Sequence, residues 1–136
     1  MLKINKRFLI ALLTFTLPFG SVGCSTDGSA DGSATSDQIS GAQAKALMDS
    51  ESGYIIIDAR TQEEYDEGHI PGAILIPEYE IAVRAENELP DKEQLILVYC
   101  RSGRRSKIAA EELVKLSYTN VKEFGGIIDW EYEIVK

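Results

Sequence analysis

Hydrophobic residues recur between residues 38 and 136 in short blocks with two different periodicities. Four apolar runs have the length and composition of buried strands: Tyr54 to Ile57, Ala73 to Ile76, Leu95 to Tyr99 and Val121 to Phe124. Between them lie segments with helical spacing or helix caps: Ala42 to Met48, Thr61 to Glu67, Ile81 to Leu89 and Ile108 to Leu116. Strands that alternate with helices predict an α/β fold, in which helices cover both faces of a parallel sheet.

Polar residues and prolines mark the ends of these elements. Ser40 precedes the first helical segment as an N-cap, and Thr61 with Glu64 three residues later fits a capping box. Pro77 ends the apolar run Ala73 to Ile76, and Pro90 ends the helical segment Ile81 to Leu89. The stretch of about a hundred residues that these signals organise, residues 38–136, is enough for one small domain with a single core.

The first 37 residues follow a different pattern. A basic start with Lys3, Lys6 and Arg7 precedes a mostly apolar stretch that is too short to span a bilayer, and small residues then lead to Cys24. This order resembles the signal peptide and lipobox of bacterial lipoproteins. It implies that residues 1–23 are a signal peptide and that a lipidated Cys24 anchors the protein to a membrane outside the cytoplasm. A cleaved signal that leaves a soluble secreted or periplasmic protein is the alternative.

Composition and charge limit the kinds of molecule that this chain can bind. Residues 24–37 consist of Cys24 followed by a stretch that contains only Ser, Thr, Gly, Ala and Asp, which predicts a flexible tether before the domain at 38–136. The chain has 14 Lys and Arg against 22 Asp and Glu, and loss of the three basic residues in 1–23 would change its net charge from −8 to about −11. Nucleic acid is therefore an improbable partner for this chain.

Cys100 is the candidate catalytic residue. It follows a buried strand and precedes a helical pattern that begins near Ser106, so the backbone N–H groups of a tight loop and of a helix N-terminus can favour its thiolate. Arginines near a cysteine suit a pocket that receives an anion, whereas the alternative is an inert buried cysteine. We predict that a substrate-binding loop follows the nucleophile: Arg101, Ser102, Gly103, Arg104, Arg105 and Ser106.

Three further residues are assigned supporting roles. Asp58 and Arg60 follow the C-terminal end of a strand, where α/β proteins place functional groups, and we expect an ion pair that braces the loops behind the site. We expect His69, the only histidine, to hydrogen-bond to the backbone rather than to act as a base.

Three stretches, taken in order, resemble the single-domain rhodanese family over Gln38 to Tyr132. The first stretch lies within residues 57–73 and contains IDAR, EY and GHIPGA. The second is CRSGRRS at 100–106, and the third is FGG at 124–126 together with Trp130. The resemblance implies a five-stranded parallel sheet flanked by helices, with Cys100 as the nucleophile. It further implies a sulfurtransferase that moves sulfane sulfur from thiosulfate or a similar small anion to a thiol or cyanide through a Cys100 persulfide, without a metal or organic cofactor.

Two other functions remain open at this point. Cysteine phosphatases and arsenate reductases also use a thiolate in an anion-binding loop, but they need an arginine six residues after the cysteine, where this chain has Ser106 and places Arg105 one position earlier. A persulfide carrier without turnover, or a surface-tethered binding module, would have the same residues as an enzyme. We expect a monomer whose partners are small molecules and, through the lipid anchor, the membrane.

Overall fold

The computed structural model describes residues 35–136 and contains a five-stranded parallel sheet with helices on both faces, which confirms the predicted fold class. The strands, which lie in the order β1-β5-β4-β2-β3, are β1 (Asp37–Gln38), β2 (Ile55–Asp58), β3 (Ala73–Leu75), β4 (Ile96–Cys100) and β5 (Val121–Gly126). The helices are α1 (Gly41–Ser50), α2 (Gln62–Glu67), α3 (Ile81–Glu88) and α4 (Arg104–Lys115). The predicted signal peptide, Cys24 and the tether as far as Ala34 lie outside the described residues.

Strand β4 lies in the middle of the sheet, and all five of its residues are buried. Its side chains alternate between the two faces, as the two-residue period of a strand requires. Ile96, Val98 and Cys100 pack on the side of α3 and α4, whereas Leu97 and Tyr99 pack on the side of α1 and α2. The thiol of Cys100 therefore faces α4 at the carboxyl edge of the sheet.

Local capping signals hold in the folded chain. The Ser40 hydroxyl accepts a hydrogen bond from the backbone N–H of Gln43, and the Gln43 side chain accepts one from the N–H of Ser40. Thr61 and Glu64 form the same reciprocal pair at the start of α2. Both predicted helix starts are confirmed because each depends only on residues three apart.

Three boundaries differ from the predictions. β1 begins at Asp37, the last residue of the predicted tether. Its two residues are too few to show a periodic pattern, and pairing with β5 holds them in place. β5 continues beyond Phe124, the end of the predicted run, through Gly125 and Gly126. α4 begins at Arg104 rather than near Ser106. Within residues 35–136, no helix is both long enough and apolar enough to cross a bilayer.

Candidate active site

Cys100 is the last residue of β4, and its side chain is 1% exposed. Only Arg101 to Gly103 separate it from α4, so Arg104 to Ser106 form the first turn of that helix instead of the second half of a loop. The early start depends on Gly103, whose left-handed backbone (φ 105°) turns the chain directly into the helix. The short loop and the first turn then wrap around the sulfur.

The Cys100 sulfur lies in a cradle of hydrogen-bond donors. The backbone N–H of Gly103 donates to Sγ at 3.0 Å, and the Ser106 hydroxyl oxygen lies 3.4 Å from Sγ. Burial raises the pKa of the Cys100 thiol, but hydrogen bonding with Ser106 and with the backbone N–H groups of Gly103 and Ser102 outweighs burial and holds this pKa below its ordinary value. The predicted N–H cradle is therefore present in the structure, and it favours the thiolate.

The three arginines near Cys100 have different surroundings. Both terminal nitrogens of Arg105 donate to the carboxylate of Glu64, at 2.7 and 2.8 Å, and hydrogen bonding to this carboxylate raises the pKa of Arg105. The guanidinium fork of Arg105 therefore braces α4 against α2, and its expected role in holding a donor anion stays a prediction. Arg101 and Arg104 are exposed, and no ion pair within residues 35–136 includes either of them.

Gly126 fixes the loop from behind. A Cβ atom at this position would lie 2.1 Å from the carbonyl oxygen of Arg101 and 2.6 Å from Cα of Ser102, so the loop backbone packs directly on the glycine. The N–H of Ile128 donates to the same Arg101 carbonyl at 3.3 Å. The loop position is therefore set by β5 as well as by β4.

Asp58 and Arg60 form the expected ion pair, with Nη2 of Arg60 2.7 Å from Oδ2 of Asp58. The side chain of Arg60 is 6% exposed and that of Asp58 is 0% exposed. The Arg60 guanidinium also donates to the carbonyl of Gly68, and the Tyr99 hydroxyl donates to Asp58. The Tyr99 ring packs on the opposite face of the sheet from the Cys100 side chain. This pair ties the ends of β2 and β4 to the following loop.

Within residues 35–136, His69 contacts Tyr65 and Val135 rather than the thiol. Its Nδ1 atom is 3.0 Å from the carbonyl oxygen of Tyr65, its ring stacks on the Tyr65 ring, and its backbone pairs with Val135. The expected backbone hydrogen bond is present. Within residues 35–136, no three His, Cys, Asp or Glu side chains are arranged to hold a metal ion.

Sequence reasoning missed Glu123, a buried residue of β5. Its Oε1 atom lies 2.6 Å from the Ser106 hydroxyl and accepts a hydrogen bond from the N–H of Gly125 at 2.8 Å. The available signal was strand alternation: Glu123 lies two residues after Val121 and therefore shares its buried face, where a charged residue is unusual.

Comparisons with known proteins agree with this architecture. The Rhodanese-like domain family model matches residues 40–133. Thiosulfate sulfurtransferase PspE of Escherichia coli is 42% identical over 73 residues, which are 54% of this chain and 70% of PspE. The putative sulfur carrier protein YrkF of Bacillus subtilis is 39% identical over 87 residues, but the match spans only 46% of YrkF.

A solved structure described as rhodanese with anions from E. coli has a TM-score of 0.58 and 40% identity, and the match covers 61% of this chain and 98% of that one. The family model extends from just before α1 to beyond the end of β5 and includes both the Cys100 loop and the glycines that support it. The fold, the loop after β4 and these matches together place the chain in the rhodanese family.

Proposed function

We propose that this protein is a sulfurtransferase that carries sulfane sulfur as a persulfide on Cys100. The observation that carries the proposal is the thiol at the end of β4, which accepts a hydrogen bond from the Gly103 N–H at 3.0 Å and has a pKa below its ordinary value. Family membership supports the same chemistry, since similar proteins are named thiosulfate sulfurtransferase and sulfurtransferase.

In the first half-reaction, the Cys100 thiolate attacks the outer sulfur of thiosulfate or a similar donor. A sulfur–sulfur bond forms to Sγ, the bond between the outer and the central sulfur breaks, and sulfite leaves with the bonding electron pair. Backbone N–H groups of the loop stabilise negative charge on the sulfur, as donors do in an oxyanion hole. Persulfide and sulfite are the products.

In the second half-reaction, a thiolate or cyanide attacks the outer sulfur of the persulfide. The new bond to the acceptor forms as the bond to Sγ breaks, and Cys100 returns as a thiolate that the same N–H groups stabilise. Two half-reactions that share one covalent intermediate predict double-displacement kinetics.

A small sulfur-centred anion fits the site better than a phosphate ester. The residue six positions after Cys100 is Ser106, which is fully buried and bonded to the Glu123 carboxylate. A phosphatase would need an arginine there, and Arg105 is held by Glu64. The exposed Arg101 and Arg104 remain at the site to attract the charged end of a donor.

A persulfide carrier without turnover is the second candidate, and the similarity to a putative sulfur carrier favours it over a binding module without chemistry. Turnover with thiosulfate and cyanide separates the two roles. An enzyme produces thiocyanate continuously, whereas a carrier releases one equivalent of sulfur for each Cys100.

The test of the proposal combines that assay with mass spectrometry of the native protein after exposure to thiosulfate. We expect one added sulfur on the Cys100 peptide and continuous thiocyanate formation. Cys100→Ser, which retains the shape of the side chain, should show neither and should keep the native circular dichroism spectrum. Normal turnover by a folded Cys100→Ser variant would rule out the mechanism.

We propose in addition that the protein acts outside the cytoplasm, attached to a membrane through lipid on Cys24. The proposal is supported by the order of basic, apolar and small residues before Cys24, and by a following segment rich in Ser, Gly and Asp. With Cys24 lipidated, Cys100 is the only remaining cysteine of the chain, so the protein would depend on an external acceptor to discharge its sulfur.

A further inference from the structure

Glu123 carries a carboxylate into the interior beside the nucleophile. The residue is 4% exposed, and its Oε1 atom contacts the Ser106 hydroxyl at 2.6 Å and the Gly125 N–H at 2.8 Å. Within residues 35–136, no lysine, arginine or histidine lies within ion-pair distance of it. A buried carboxylate without a cation is costly while it is ionised, so its place next to the site calls for a chemical explanation.

The Ser106 hydroxyl links this carboxylate to the thiol. It has one hydrogen to donate, and its oxygen lies 2.6 Å from Glu123 Oε1, 3.0 Å from the carbonyl of Gly103, 3.3 Å from the carbonyl of Gly125 and 3.4 Å from Cys100 Sγ. The shortest contact is the one to Glu123. While the hydrogen points to Glu123, the serine oxygen can only accept from the thiol, and that arrangement favours the protonated form of Cys100.

We propose that Glu123 is the proton acceptor for Cys100, acting through Ser106. The thiol proton moves from Sγ to the Ser106 oxygen as the Ser106 hydroxyl hydrogen moves to Oε1 of Glu123. The products are a thiolate, a serine hydroxyl that now donates to this thiolate, and a neutral carboxylic acid. No atom enters or leaves, and the buried negative charge moves from the carboxylate to the sulfur, where the Gly103 N–H receives it.

Glu123 does not touch the sulfur itself, and it acts on Cys100 only through Ser106. The Gly125 N–H keeps an oxygen acceptor on the serine side, because it already donates to the same Oε1 atom. A glutamine at this position would have to keep its carbonyl oxygen there and could not receive a proton. The inference rests on Cys100 as the nucleophile of the proposed function.

Other ionisable groups set the background for this step. Arg105, paired with Glu64, acts electrostatically on Cys100, and Glu78 acts on Arg105. Further charged groups on the neighbouring elements include the exposed Arg101, Arg104 and Lys107, the Lys122–Asp37 pair between β5 and β1, and the Asp58–Arg60 pair behind β4. A fixed anion at Glu123 would only disfavour the thiolate. Removal of that charge alone would therefore speed reactions of Cys100, whereas removal of a proton acceptor slows them.

The experiment measures the rate of alkylation by iodoacetamide against pH, read by mass spectrometry on the Cys100 peptide of the full chain. Native protein should show two steps separated by a flat region, since the thiol and the carboxylate share one proton through Ser106. Glu123→Gln should show a single step at higher pH and react at least about tenfold more slowly near pH 6. Glu78→Gln, which removes a nearby charge without touching Ser106, should keep both steps.

Ser106→Ala provides the second arm. It should also lose the flat region, and adding Glu123→Gln to it should cause no further slowing, because both changes break the same path. Alkylation of Glu123→Gln as fast as native near pH 6, or a two-step profile in Ser106→Ala, overturns the inference. If Glu123→Gln does not fold, the Ser106→Ala profile decides alone. Alkylation needs no sulfur donor, so a chain that fails to transfer sulfur but keeps the two steps rejects only the proposed function.

Discussion

Glu64 and Arg105 lie 41 residues apart in sequence and form a bidentate ion pair that joins α2 to the first turn of α4. Their side chains are 25% and 20% exposed, so the pair is only partly screened by water. Hydrogen bonding from Arg105 lowers the pKa of Glu64 from its ordinary 4.5 to about 2. The pair holds the helix whose first residues surround Cys100, and it engages both terminal nitrogens of one of the arginines expected to bind the substrate.

Glu64→Gln should destabilise the protein by about 1 to 2 kcal/mol at pH 7 and leave the α2 capping box in place, because glutamine caps as glutamate does. A lowered pKa in the folded state means that this contribution is present above pH 4.5 and is lost as the pH falls towards about 2. Urea unfolding of both proteins at pH 7 and at about pH 3 measures the change.

The control for this prediction is Glu86→Gln, which removes a carboxylate that is 61% exposed and pairs with Lys92. It should change stability by less than about 1 kcal/mol. A difference between native and Glu64→Gln that is equal at the two pH values would show that the ion pair is not its source.

Gly126→Ala should displace the loop that follows Cys100, because the new Cβ would lie 2.1 Å from the Arg101 carbonyl oxygen. We expect a loss of about 1 to 3 kcal/mol in the free energy of unfolding and a large loss of sulfur transfer. Gly41→Ala is the matched control, since its Cβ meets Trp130 at an ordinary 3.5 Å. Activity that survives in a folded Gly126→Ala protein would contradict the role given to this contact.

Asp58→Asn should destabilise the fold by about 3 to 5 kcal/mol, because it leaves the buried charge of Arg60 without its carboxylate. Asp37→Asn makes the same chemical change in a pair with Lys122 where the aspartate is 61% exposed, and it should cost less than about 1 kcal/mol. Thermal and urea unfolding of the two variants provide the comparison. Similar losses in both would mean that burial does not decide the strength of the Asp58 pair.

Native protein should accept thiosulfate and show negligible hydrolysis of aryl phosphates. One residue inserted between Ser102 and Gly103 would move Arg105 to the sixth position after Cys100 and enlarge the cradle, so we expect this variant to lose sulfur transfer. Phosphatase activity would still require a general acid for the leaving group. Assays of both proteins with both substrates test the assignment, which robust phosphatase activity in the native protein, with none towards thiosulfate, would overturn.

Cys24→Ala should abolish the proposed lipid attachment and leave sulfur transfer intact, because the nucleophile and the residues that surround it lie within the described elements from Asp37 onwards. Incorporation of radiolabelled palmitate into the native chain and into Cys24→Ala measures the first effect, and thiocyanate formation measures the second. Labelling that persists in Cys24→Ala would contradict attachment of the lipid at Cys24.

The sequence alone determined the features that depend on neighbours along the chain. Alternating strand and helix patterns predicted the fold class, and the caps at Ser40 and Thr61 predicted two helix starts, because a cap and its partner are three residues apart. The apolar run before Cys100 predicted a thiol at the end of a buried strand. The N–H cradle followed from the short step between strand and helix.

Tertiary structure alone decided which distant residues meet at that thiol. Arg105 pairs with Glu64 and Ser106 with Glu123, contacts that span 41 and 17 residues and have no periodic signal. The sheet order places β5 beside β4, and this puts Gly126 under the loop and Glu123 next to Ser106. A pattern of residues shows which side chains face inward, whereas the packing of a helix on a particular pair of strands determines which of them touch.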